Sequence, residues 1–408
     1  MTTWLELPER TGFGPANLPY GVFDVGGSRR VGVRIGDDVL DVTAVAARRA
    51  PDLVPLLDGP VLNPLLAAGP PAWRTVRAAV TEWLSDPDAE ATVRTRLHPV
   101  EEVTLHLPYA VADYVDFYAS EHHAANVGRI FGRAEPLHPN WRHLPCGYHG
   151  RAGSVYVSGT PVRRPSGQSR GADGPAFGPS QRLDFESEVG FLLGTGSSGP
   201  VGTGDVAGHV FGAFLLNDWS ARDIQAWETV PLGPFLGKSF ATSVSPWVVP
   251  LDALAAAWVD PPPQEPQPLP YLRGGQGLDL ALCIAINGHV VSRPSFADMY
   301  WTPAQMLAHL TVNGAPTRPG DVFGSGTVSG PARAQRGCLL ELTWGGSEPL
   351  ELPGGSRNFL EDGDEVVISA TAPGPDGAVI SFGEVRGIVT PGQVLSPGSS
   401  RTAGPARR

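Results

Sequence analysis

The sequence predicts a β-rich α+β protein assembled from many short strands, on three observations. The chain holds 51 glycines and 42 prolines among 408 residues, a density of turn formers that suits strands joined by tight turns rather than a helical bundle. Charged residues make only 17%, below the usual quarter, against 41% hydrophobic, and 408 residues are enough for a large buried core. Apolar residues alternate with polar or small ones up to clear turn signals, as in Val31, Val33 and Ile35 before Gly36-Asp37-Asp38. The length leaves room for two domains. A net charge of -11 without any Lys/Arg-rich patch argues against nucleic acid as a partner. A locally positive site for an anionic substrate stays open. The first ten residues lack a basic segment followed by an apolar one, so no secretory signal is expected, and no apolar run reaches membrane-spanning length. Cys146, Cys283 and Cys338 are odd in number and widely spaced, which reads as reduced thiols in a cytoplasmic protein.

Residues 1–107 read as a small separate domain. Its hairpin runs through Val31–Ile35 and Val39–Val42. Between Ala72 and Ser85 the period changes: Trp73, Val76, Val80, Trp83 and Leu84 recur at helical spacing. Val100–Leu107 reads as a strand closed by Pro108. No chemistry is visible there. From Tyr109 the chain begins extended and turns helical at Ser120, a good N-cap. His123 then falls at the third helical position, where the helix dipole disfavours imidazolium and leaves a ring able to accept a proton. A histidine that merely caps or packs is the competing reading. Asp116 and Tyr118 lie just upstream at strand spacing, sharing a face. His138, His143, Cys146 and His149 raise zinc, but the C-x-x-H lacks a matching second pair. Residues 147–169 read as short strands joined by Gly turns, with Tyr148, His149 and Arg151 polar enough to reach a pocket.

In QRLDFESEVGFLLG the apolar residues take one strand face, and Asp184, Glu186 and Glu188 take the other, about 7 Å from neighbour to neighbour. Three such carboxylates repel unless water or a cation separates them, and an all-oxygen set selects a hard cation. A solvated acidic edge strand is the alternative. Val210–Leu216 reads as a buried strand that delivers Asp218 at its end. The stretch from Asn217 to Thr242 mixes Asp218, Arg222, Asp223, Gln225, Glu228 and Lys238 with Trp219, Trp227, Phe235 and Phe240. That suits a pocket wall, or an amphipathic segment whose charges face water. Asp260–Pro270 reads as a surface polyproline loop. Asn287-Gly288 marks a hairpin between Leu278–Ile286 and His289–Val291, and Thr302–Leu310 a short helix capped by Thr302. The glycines around Thr327 let backbone approach a ligand but do not make a phosphate loop. Leu339–Trp344 reads as a strand carrying Glu341, an acid that needs a partner such as an imidazole. Asp362-Gly363-Asp364 and Pro375-Asp376-Gly377 read as hairpin turns, and residues 397–408 as a disordered tail.

Taken in order, DFYAS, HAANVG, PNWRHLPCGYHGRAGSVYVSGTPVRRPSGQ, NDWSARDIQAWE, VPLGPFLGKSF, RPGDVFGSGTVSGP and LEDGDEVVIS resemble the fumarylacetoacetate hydrolase family over nearly the whole chain. NLPYGVF at Asn17–Phe23 places the resemblance in the fumarylacetoacetase branch. The resemblance implies a mainly β fold: a small SH3-like N-terminal barrel over residues 1–107 and a large mixed β-sandwich roll over 108–396, paired as a homodimer. It implies hydrolysis of a carbon–carbon bond in a 1,3-diketone acid, 4-fumarylacetoacetate to fumarate and acetoacetate. It implies Mg²⁺ or Ca²⁺ on Asp116, Glu186, Glu188 and Asp218, with Lys238 and Thr242 beside it. It implies His123 as base with Glu341, and Tyr118, Tyr148, Arg222, Gln225 and Thr327 as substrate contacts. Asp184 is not among the family's ligands. Two positions depart from the family: Thr229 replaces an aromatic hydroxyl, and Gly132 an arginine, with Arg133 next to it as a substitute. The alternatives are a hydrolase, isomerase or decarboxylase for another acylpyruvate-like diacid, and a non-catalytic protein using the acids for structural calcium. A serine hydrolase is the disfavoured reading.

Overall fold

The computed structural model describes residues 3–8 and 11–393. The segment 397–408, expected to be a disordered tail, lies outside the described residues. The N-terminal part is a five-stranded sheet, β1 (Tyr20–Val25), β2 (Ser28–Ile35), β3 (Asp38–Asp41), β4 (Leu97–Pro99) and β5 (Thr104–His106), in the order β4-β3-β2-β1-β5. The expected strand over Val100–Leu107 is shorter: Val100–Glu102 forms a 3₁₀ turn and only Thr104–His106 pairs, against β1. Between β3 and β4 the chain inserts helices, chiefly α1 (Val42–Arg49) and α2 (Gly69–Ser85). Helix α2 buries Trp73, Val76, Val80, Trp83 and Leu84, the stripe its period predicts. Each such side chain contributes about 1.5–3 kcal/mol.

The larger part is built on β6 (Tyr114–Phe117), β7 (Gly147–His149), β8 (Val155–Val157), β9 (Val162–Arg163), β10 (Ser187–Leu193), β11 (Val210–Asp218), β12 (Thr242–Val244), β13 (Val249–Pro250), β14 (Ala281–Ile286), β15 (His289–Ser292), β16 (Val322–Gly324), β17 (Glu365–Pro373) and β18 (Val379–Thr390). One eight-stranded mixed sheet runs β7-β6-β16-β10-β11-β12-β8, with β13 also on β11. A second, five-stranded sheet runs β15-β14-β17-β18-β9. Every residue of β11 is buried because both its faces are covered. Phe214 and Leu216 pack with the N-terminal core, while Ala213 and Leu215 pack into the core of the larger part. Tyr20 and Val248 exchange backbone hydrogen bonds of 2.9 and 2.8 Å, tying the N-terminal sheet to this framework.

Helix α3 (Glu121–Ile130) starts where Ser120 caps it, its hydroxyl accepting from the His123 amide at 3.2 Å. Helices α4 (Arg222–Glu228) and α5 (Pro303–Thr311) follow, the latter opened by a full capping box on Thr302 and Gln305. Three local expectations are corrected. Leu339–Leu342 is a single helical turn, α6, not a strand, because its first amides are capped by the Asp184 carboxylate rather than paired in a sheet. The acidic strand is broken: Leu183–Asp184 pairs with Ser220–Ala221, and β10 begins only at Ser187. Asp362-Gly363-Asp364 is a turn but not a hairpin, since Asp364 collects Arg357, Asn287 and the Glu361 amide instead of facing a paired strand.

Candidate active site

The register of the eight-stranded sheet assembles the acids. Asp116 lies opposite Gly324 on β16 and Tyr148 on β7, Gly324 lies opposite Gly190 on β10, and Asp218 lies opposite Thr242 on β12. Directly opposed residues share a face, so Asp116, Tyr148, Asp218 and Thr242 project to the same side, joined by Glu188 two residues from Gly190. Glu186 enters from the break before β10. One carboxylate oxygen from each of Asp116, Glu186, Glu188 and Asp218 lies within 4.8 Å of the others, and all four residues are buried. The missing side chains matter: a Cβ on Gly324 would sit 2.6 Å from Asp116 Oδ1 and 2.8 Å from Glu188 Oε2.

The cluster's electrostatics follow from burial. Loss of water, then the charge of Asp218, pushes the Asp116 carboxyl up to about 8 against the pull of Lys238. Glu188 is raised well above the carboxylate range, by burial and then by Asp116 and Asp218. Glu186 goes the other way: burial opposes its charge, but Lys238, Arg222 and His123 hold it below the usual range. Lys238 Nζ donates to Glu186 Oε2 at 2.5 Å and to Asp218 Oδ2 at 2.8 Å. Burial disfavours its charge, but Asp218 and Glu186 overcome that and raise it above the normal lysine range. The Tyr148 hydroxyl lies 2.9 Å from Asp218 Oδ2 and 3.2 Å from Asp116 Oδ2, and Thr242 Oγ1 lies 3.5 Å from Asp218 Oδ1. Asp116 Oδ1 and Glu188 Oε1 are buried without a protein partner. Orphaned carboxylate oxygens around a space kept open by glycine fit a hard divalent cation, and this donor set holds no nitrogen or sulfur that would favour zinc.

Beside the acids lies a second buried group. His123 Nδ1 is 2.6 Å from Glu341 Oε2. Glu341 also accepts from Asn126 Nδ2 at 2.8 Å, Ser329 Oγ at 2.7 Å and Cys338 Sγ at 3.3 Å. Burial opposes its charge, yet His123 and these donors bring it down to about 2. An ionised carboxylate only accepts, so Nδ1 carries the proton, and Nε2 faces the acids, 3.8 Å from Glu186 Oε1. Tyr118 stacks edge-on against the His123 ring at 5.2 Å. Arg222 Nη1 is 2.7 Å from Glu186 Oε1 and 3.3 Å from Gln225 Oε1, while Nη2 is buried with no partner. Thr327 Oγ1 is likewise unpaired.

Thus Asp116, Tyr118, His123, Tyr148, Glu186, Glu188, Asp218, Arg222, Gln225, Lys238, Thr242 and Glu341 converge. Arg133, whose charge acts on the Tyr118 hydroxyl, is exposed and makes no ion pair among the described residues; it comes just past Gly132, whose φ of 68° ends α3. Thr229 spends its hydroxyl on the Gln225 carbonyl at 2.6 Å. Asp223 and Glu228, left without a role by the sequence, hold backbone: Asp223 accepts from Ser180 Oγ and the Gln181 amide, Glu228 from the Phe235 and Gly237 amides. Sequence reasoning missed Asn126 and Ser329. Asn126 lies one helical turn after His123, a spacing that signals a shared face.

Two family models match: "Fumarylacetoacetase N-terminal" over residues 16–108 and "Fumarylacetoacetate (FAA) hydrolase C-terminal" over 113–390. The chain is 45% identical to the fumarylacetoacetase of Bos taurus, over 95% of this chain and 99% of that one. It is 44% identical to that of Homo sapiens over 95% and 99%, and 43% to that of Arabidopsis thaliana over 96% and 99%. Among solved structures it is similar to a fumarylacetoacetate hydrolase from Exiguobacterium antarcticum, with TM-score 0.57 and 20% identity over 92% of this chain and 99% of that one. It is also similar to a maleylpyruvate hydrolase from Sphingobium sp. SYK-6 solved with manganese(II) and pyruvate, with TM-score 0.53 and 19% identity over 92% and 100%. At these identities the solved structures establish the fold alone.

Proposed function

The chain belongs to the fumarylacetoacetate hydrolase family, and on that premise we propose that it hydrolyses 4-fumarylacetoacetate to fumarate and acetoacetate with the His123–Glu341 pair as its base. It is a metal-dependent carbon–carbon bond hydrolase. Asp116, Glu186, Glu188 and Asp218 would hold the divalent cation, with Lys238 and Thr242 beside it, and Mg²⁺ or Ca²⁺ suits their oxygens. When bound, that ion supplies positive charge against the diketone oxygens and so favours departure of the enolate.

The observation that carries the reading is His123 held through Nδ1 by an ionised Glu341, with Nε2 turned toward the acid cluster. Nε2 takes a proton from water, whose oxygen adds to the carbonyl flanking the scissile bond. The oxyanion that forms meets the spare Nη2 of Arg222, with Gln225 and Lys238 alongside. Collapse breaks the carbon–carbon bond and leaves its electron pair on the acetoacetate fragment, which takes up a proton from Lys238 or from His123 in its protonated form. Tyr118, Tyr148, Thr327 and Arg133 bind the remainder of the diacid. We assign residues 1–107 to the N-terminal domain and 108–396 to the catalytic domain, and infer a cytoplasmic homodimer. Among the described residues, no helix is long and apolar enough to cross a membrane.

Turnover of fumarylacetoacetate, followed by loss of diketone absorbance with and without chelator, tests the proposal. Chelator should abolish the rate and added Mg²⁺ or Ca²⁺ should restore it. A protein that loses melting stability on chelation but turns over no diketone when reloaded would be a calcium-stabilised binding protein instead.

A further inference from the structure

We propose that Asp184 is a positioning residue that sets Arg222 and Glu341 together, coupling the oxyanion-binding arm of the site to its base; this rests on the roles given to those two residues above. Asp184 belongs to the acidic run that the sequence singled out, yet it does not stand with the four clustered acids. It is fully buried at the break before β10. Its two oxygens are saturated by four N–H donors. Oδ1 accepts from Leu339 N at 2.7 Å and Phe185 N at 2.8 Å, and Oδ2 from Leu340 N and Arg222 Nε, both at 2.9 Å.

Two of those donors are the first amides of α6, the single turn whose third residue is Glu341. A one-turn helix has only two hydrogen bonds of its own, Leu342 N to Cys338 O and Thr343 N to Leu339 O, so the capping carboxylate is what fixes where it begins and hence where Glu341 points. The third donor is the side nitrogen of Arg222. The guanidinium is a rigid planar fork. With Nε on Asp184 and Nη1 on Glu186, the remaining nitrogen, Nη2, can project in only one direction. One carboxylate therefore holds both arms at once. An amide cannot replace it: Asn offers a single acceptor oxygen, and its NH₂ would face Arg222 Nε or a backbone N–H, donor against donor.

The test is a set of kcat, KM and Mg²⁺-affinity measurements on the full chain, the last by calorimetry on chelator-stripped protein. Asp184→Asn should lower kcat about tenfold to a hundredfold with Mg²⁺ affinity unchanged, as expected for loss of a bond that orients a functional group. In a Glu341→Gln, Arg222→Lys background both arms are already lost, and adding Asp184→Asn should then change kcat less than about threefold. Asp184→Ser, which keeps a capping acceptor but loses the arginine, should be impaired alone and silent once Arg222→Lys is present; it serves equally where Asp184→Asn does not fold. A kcat within threefold of wild type, or the same penalty in both backgrounds, overturns the coupling and leaves Asp184 a structural residue. If Glu341→Gln by itself leaves kcat intact, the base assignment fails, and the coupling built on it fails with it.

Discussion

Removing the metal should leave a protein whose stability falls as pH rises, opposite to the usual carboxylate behaviour. The perturbation is chelation followed by a pH series from 5 to 8. Asp116 is 1% exposed and its carboxyl is pushed up to about 8, chiefly by burial and then by Asp218, whereas an unfolded aspartate titrates near 3.8. Between these values the folded protein binds a proton that the unfolded chain has released. Stability is therefore lost as pH rises through the window, at up to about 1.4 kcal/mol per pH unit for one group. Three units give about 4 kcal/mol, with Glu188, raised in the same direction, sharing the titration. At roughly 2 cal/mol/K of unfolding entropy per residue, that corresponds to about 4–7 °C in Tm for a chain of this size. Melting of the stripped protein by calorimetry at each pH, beside Asp116→Asn, isolates the group from the histidines. Wild type should lose about 4–7 °C more than Asp116→Asn across the series. Saturating Mg²⁺ or Ca²⁺ should add more stability at pH 8 than at pH 5, because metal and proton compete for the same oxygens. Equal slopes in the two proteins, or a metal effect independent of pH, would refute the reasoning.

Three further outcomes are expected. Replacing His123 by Ala should abolish turnover while calorimetry still reports wild-type metal affinity; near-normal rate would remove it as the base. Gly324→Ala should weaken metal binding by at least about tenfold, since its Cβ would crowd Asp116 Oδ1 and Glu188 Oε2 in a site tuned by ångström-scale fit. Unchanged affinity would place the ion elsewhere. Thr229→Tyr should lower KM for fumarylacetoacetate severalfold with kcat within twofold, across a panel that includes shorter acylpyruvates, because the present hydroxyl is spent on the Gln225 carbonyl. A change confined to kcat would argue against a binding contact.

Much of the local structure was legible in the chain because it rests on neighbours in sequence. The Ser120 cap, the α2 stripe, the capping box at Thr302 and the Asn287-Gly288 hairpin are all decided within a turn or two. The misread pieces share a cause. Leu339–Trp344 has the apolar pattern of a buried strand, but periodicity cannot separate that from a buried helical turn, and the deciding carboxylate lies about 155 residues away in sequence. The acidic run shows the same limit. Alternation puts Asp184, Glu186 and Glu188 on one face, but the strand breaks between the first and the others.

By itself the sequence determined the β-rich class, the turn chemistry and, through the order of its motifs, the family and its set of acids. Composition and spacing carry that information because they reflect local propensity and burial. What only the tertiary structure decided is how the charges are apportioned. Lys238 bridges Glu186 and Asp218, Glu341 is held by Asn126 and Ser329 as well as His123, and Asp184 turns from the acids to Arg222 and α6. These pairings join separate segments, from 12 to 218 residues apart in the chain, inside a dry interior, where a difference of a few ångströms in register sets which charge meets which.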